Sequence, residues 1–167
     1  MIDVIRYSIA GVLFVFFQIF LMDQLGLARD FATPYIFLLF LFMLPLDMPL
    51  ILEYGIAFTV ALLVDISNNT YGQHIFATLC AVAVRRQLIA ISTTSTFRNI
   101  HEISLGTQNM VWYVTYLLPL IFIHHFIFIG ISAFDFSHIG YTLAKIIVNT
   151  IYSFIVNYLI CIVFYRK

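Results

Sequence analysis

Apolar runs long enough to cross a bilayer dominate the chain, each closed by a charge, a proline or a short polar turn. A spanning helix takes roughly 17–25 mostly apolar residues. Runs near that size fall at residues 6–22, 31–46, 50–67, 73–91, 109–131 and 141–165. Of 167 residues, 63% are hydrophobic and 10% charged. A soluble domain carries about a quarter charged residues, because a globular core still needs a polar coat. Mean hydropathy is +1.04. The expected fold is therefore an all-α membrane protein, a single transmembrane domain over 1–167 built as a bundle of about six helices.

Formal net charge is zero, so the chain lacks the electrostatic footprint of a nucleic-acid binder. Cys80 and Cys161 sit inside apolar runs, where a thiol behaves as a small hydrophobe, and no disulfide, metal site or other cofactor is expected from them. The first run has no small-x-small cleavage site after it and is read as a retained helix rather than a signal peptide. The second run, 31–46, is short. It opens at Thr33-Pro34 and closes at Pro45-Leu46-Asp47-Met48-Pro49, so it is either a thin crossing or half of a re-entrant hairpin.

Lys and Arg in short loops are retained on the cytoplasmic side. With both termini inside, the cytoplasmic set is Arg6, Arg85, Arg86, Arg98, Arg166 and Lys167, against Arg29 and Lys145 outside. The polar connector at 92–108 carries Arg98 and Glu102. With Arg85 and Arg86 it is either a solvated linker or a docking loop for a cytoplasmic partner.

An ionisable side chain at the centre of a membrane helix costs about 2.5–3.5 kcal/mol on insertion scales, so each one calls for a partner. This topology puts Asp65, Asn68, His74, His124, His125, Lys145 and Asn149 at a shared depth in the outer half. Lys145, Asn149, Ser153 and Asn157 recur every four residues, which makes one helical stripe that must face protein. The expected pairing is Lys145 with Asp65, extended by Asn149 and one of the two histidines. His124 and His125, as neighbours on a helix, are not expected to face one partner. The cluster is either interhelical glue or a cavity for a headgroup or small ligand; no nucleophile triad, phosphate loop or metal-ligand spacing stands out. Gly55, Ala57, Thr59 and Ala61 form small-x-x-x-small steps, which suit close helix packing.

The run from Gly55 to Gly72, with Ala61-Leu62-Leu63-Val64-Asp65 and then a polar turn ending in Gly, resembles the rod-shape-determining MreD family. So do Pro34 and Pro45 around the second segment, Gly72-Gln73-His74, Ile123-His124-His125 and the basic end Phe164-Tyr165-Arg166-Lys167. The motifs are degenerate and their order carries the likeness, which covers nearly the whole chain. Ala61 departs from it, since the family often has Gly there. The resemblance implies a non-enzymatic component of the bacterial inner membrane. It would organise peptidoglycan elongation beside MreC, MreB filaments, RodA and its partner transpeptidase. It also implies a fold similar to the six-helix substrate-capture subunits of energy-coupling-factor transporters. The rival expectation from that side is a substrate- or lipid-binding transport subunit.

Overall fold

The computed structural model describes residues 2–22, 31–92, 110–133 and 138–165. Helix α1 (Ile2–Phe17) runs on into a π-turn at Gln18–Met22, α2 is Phe37–Phe42, α3 is Leu50–Asn68 and α4 is Gln73–Ser92. Helix α5 spans Met110–Ala133 with a π-turn at Tyr113–Leu117 inside it, and α6 is Ile139–Tyr165. Four helices, α3 to α6, are long and apolar enough to cross a membrane, and Ile9–Met22 adds a shorter apolar helix. This is an all-helical, multi-pass membrane protein among its described residues. Arg98 and Glu102 lie outside them.

The bounds of α3 and α4 follow from local chemistry. Pro49, without an N–H to satisfy, precedes the first turn of α3. Asn69, in the left-handed region at φ 54°, ends the helix and returns its N–H to Asp65 O. Gly72 turns the chain into α4 at φ +89°, where a side chain would strain the backbone although nothing crowds it. Helix α4 then packs between α3 and α5, and α6 packs on α5.

The second run does not become a spanning helix. Only Phe37–Phe42 is helical, about 9 Å of axis. Pro34 biases Thr33 away from helix, and Pro45 cannot continue one. Residues 34–42 are all buried, so this segment threads the bundle interior and meets protein, not lipid. Irregular backbone at membrane depth is tolerated only in such a place. Lipid instead meets residues such as Val12, Phe20, Ile51, Ile66, Phe126 and Ile155, all exposed on the outside.

Packing on α3 corrects part of the sequence expectation. Ala57 and Ala61 turn inward with no exposure, but Gly55 and Thr59 face out, and a Cβ added at Gly55 meets nothing within 4 Å. The outward hydroxyl of Thr59 folds back onto Gly55 O at 2.8 Å. Among the described glycines it is Gly11 on α1 that carries a close approach, since an added Cβ would lie 2.9 Å from the Phe40 ring.

Candidate functional site

The extended stretch before α2 has lost the backbone bonds a helix would supply, and side chains replace them one by one. Asn149 Oδ1 accepts from Thr33 N–H at 3.0 Å, and Asn149 Nδ2 donates to Phe31 O at 2.7 Å. Ser153 Oγ accepts from Tyr35 N–H at 3.0 Å, and Asn157 Nδ2 donates to Tyr35 O at 3.0 Å. From α1, Gln18 donates to Pro34 O at 3.3 Å and accepts from Ile36 N–H at 2.8 Å. The four-residue stripe on α6 thus faces protein as its spacing required. Its partner is the chain's own backbone. Gln18 opens the π-turn of α1, a local rewinding that re-aims side chains.

The far end of α2 is held by charge. Leu39, Phe40 and Leu41 O accept from Met43 and Leu44 N–H, which leaves Phe42 O, at the negative end of the helix dipole, to side chains. Arg85, fully buried, donates to Phe42 O at 3.2 Å, to Leu44 O, to Tyr116 Oη at 3.1 Å and to Glu53 Oε1 at 2.6 Å. Tyr116, from the π-turn of α5, also donates to Phe42 O at 2.6 Å. Arg86, 38% exposed, pairs with Glu53 Oε2 at 2.9 Å and donates to Met48 O. Arg85 is therefore not part of a cytoplasmic docking loop. Each of its three guanidinium nitrogens donates inside the bundle, and the Glu53 carboxylate compensates a charge that would be prohibitive there if unpaired.

Asp65 also has a different partner from the one expected. Its Oδ1 accepts from His74 N–H at 3.0 Å and from the Thr70 hydroxyl, and Oδ2 accepts from Ile75 N–H at 2.9 Å. These are orphan donors in the first turn of α4, so the carboxylate caps α4 from the end of α3. No ion pair joins Asp65 to Lys145. Among the described residues the half-buried Lys145 reaches the network through its carbonyl, which accepts from Asn149 Nδ2 at 2.8 Å. Asn68 ends α3 half-buried and joins none of these bonds.

The histidines gather around one ring. Tyr35 lies with ring centroids 4.9 Å from His74, 5.7 Å from His124 and 5.2 Å from His125, so the neighbouring pair on α5 does share a partner. The side chain of Tyr35 is large enough to reach across the angle that separates adjacent helical positions. His125 Nδ1 lies 2.8 Å from Ile121 O, which can only accept, so the proton sits on Nδ1. Nε2 then accepts from Ser153 Oγ at 3.3 Å. His74 and His124 stack at 5.6 Å, and His74 stacks on Phe128 at 4.0 Å.

The structure brings Asp65, His74 and His124 together and ties Asn149 to them through residues 31–36. Sequence reasoning missed Glu53, Gln18, Tyr35 and Tyr116. Glu53 had a usable signal, being an acid inside an apolar run with a basic pair on the next helix, α4. Among the described residues, no three His, Cys, Asp or Glu side chains are placed to hold a metal ion. Between α5 and α6 a lateral groove of about 360 Å³ is lined by Leu118, Pro119, Phe122, Ile147, Thr150 and Ile151. No family model, curated protein or solved structure matches the chain.

Proposed function

We propose that this protein is a non-enzymatic scaffold of the bacterial inner membrane, of the MreD type, that binds the membrane helix of MreC and helps organise the peptidoglycan elongation machinery. The observation that carries this reading is the direction of its polar side chains. Asp65, Asn149, Ser153, Gln18 and Arg85 each bond the chain's own backbone. They fix one rigid shape, and along the described helices the outward surface left for a partner is largely apolar. The groove between α5 and α6 suits a helix docking by van der Waals packing, the contact that lipid leaves available.

The same reading takes the chain through six passes with both termini in the cytoplasm, residues 31–48 running from the level of Gln18 and His74 to that of Arg85 and Arg86. Engineered cysteines at positions 30, 47, 69, 95 and 137 test it by accessibility. Labelling of 30 and 47 from the same side would make the second segment re-entrant and change the topology.

The functional test is in-membrane photocrosslinking from probes at Phe122 and Ile151, with tagged protein then purified in mild detergent. Recovery of MreC crosslinked at these positions is expected, with MreB, RodA and its transpeptidase following directly or through MreC. Recovery of an ATPase-coupled transport module in its place overturns the scaffold. The transport reading has one observation in its favour: His74 and His124 keep unbonded ring nitrogens in the interior.

A further inference from the structure

His74 and His124 are fully buried, and none of their four ring nitrogens has a hydrogen-bond partner among the described residues. A neutral imidazole carries one donor and one acceptor, so the two rings present two of each. Thr78 sits one turn beyond His74 on the same face of α4, and its Oγ1 is equally buried and unbonded. Their neighbour His125 is the internal contrast, with both nitrogens bonded. Inside a membrane bundle an unmet donor or acceptor has no bulk water to fall back on.

We propose that His74, His124 and Thr78 form a buried binding site whose guest is water. Three properties of the site select this class of ligand. It must be small, because Phe128 stacks on His74 at 4.0 Å while Tyr35 and Phe37 close in at 4.9 and 6.0 Å. It must be uncharged, because a charge in this interior would need a counter-charge bonded to it, and both oxygens of Asp65 are taken up by α4 and Thr70. It must both donate and accept, because the imidazoles leave both kinds of group open. A buried water typically finds two to four polar partners, and the two rings with Thr78 supply that number.

The site lies a short way below the surface at the α4–α5 seam. Ser132, Phe128 and His124 follow one another at four-residue steps along α5, a stripe about 12 Å long. At its exposed end the Ser132 hydroxyl bonds the side chain of Gln73 at 2.6 Å, immediately before His74. Exchange of the guest along this α4–α5 seam requires the Phe128 ring to move aside. Deeper in the bundle the polar groups continue through His125 and Ser153 to Asn157, whose Oδ1 is another buried, unbonded acceptor. This assignment stands apart from the scaffold reading and does not depend on it.

The test is magnetisation transfer from water to the ring nitrogens of ¹⁵N-histidine protein in lipid bilayers, with resonances assigned through backbone correlations. Transfer to His74 and His124, and none to His125, is the expected result. One guest serves both rings, so His124→Phe should abolish transfer to His74 as well, and Thr78→Val should weaken it. Absence of transfer to both rings in the unmodified protein overturns the proposal. So does a direct nitrogen–nitrogen coupling between His74 and His124, or an organic molecule released in stoichiometric amount on denaturation.

Discussion

Arg85 and Glu53 meet at 2.6 Å with side chains 0% and 1% exposed, and through Arg85 the pair closes the C-terminal end of α2. Removing one member of a buried pair leaves the other charge without compensation and typically costs about 3–5 kcal/mol. Glu53→Gln and Arg85→Met should each lower thermal stability in lipid by that order. The double variant should recover only part, because Phe42 O and Leu44 O stay without the guanidinium. Full recovery in the double variant would mean that the ion pair, and not the carbonyl contacts, is all that Arg85 contributes.

The stretch before α2 makes a second prediction. Gln18→Leu removes the partner of Pro34 O and of Ile36 N–H at once, and Asn149→Leu does the same for Phe31 O and Thr33 N–H. Each unsatisfied buried group costs about 1–3 kcal/mol, so these variants should be less stable by a few kcal/mol. They should also expose a reporter cysteine at Thr33 to a membrane-permeant thiol reagent. A reporter that stays as protected as in the parent protein would show that apolar packing of α2 alone holds the segment.

Part of this was written in local spacing and part was not. The apolar runs gave the long helices, and the recurrence of Asn149, Ser153 and Asn157 gave an inward stripe, because a four-residue period on a helix is a geometric statement. Their partner was hidden. Tyr35 and Thr33 are 116 to 122 residues away from them along the chain, and a side chain bonding to backbone leaves no mark on the identity of the backbone residue. Arg85 and Arg86 look alike as neighbouring basic residues, and only the rotation between helical neighbours sends one to the interior and leaves the other 38% exposed. Asp65 was visible as an acid in the wrong solvent, but a carboxylate that caps the following helix and one that awaits a lysine have the same sequence.

Those two roles of Asp65 separate experimentally. Removal of a capping side chain costs about 0.5–2 kcal/mol, so Asp65→Ala should destabilise by that order or more, given its three bonds. Lys145→Met should change stability by less than about 0.5 kcal/mol. In a double-mutant cycle the two should be additive, as unconnected sites are. A coupling energy above about 1 kcal/mol would restore the ion pair between them.

Glycine positions give the last prediction, because two of them differ in what surrounds them. A methyl group at Gly11 would lie 2.9 Å from the outer edge of the Phe40 ring, closer than real contacts allow, so the ring must move. Phe40 is itself buried on α2 and stacks with Phe14 at 6.1 Å, so its movement disturbs the packing of α2 on α1. Overpacking of this kind costs about 1–3 kcal/mol. Gly11→Val should lose stability in that range, and Phe40→Leu should rescue it by shortening the side chain that collides. Gly55→Ala, with open space around it, should be neutral or slightly stabilising, since Ala is the better helix former. If Gly55→Ala left the fold intact but abolished recovery of the MreC proposed above, the outward face of α3 would replace the α5–α6 groove in that proposal.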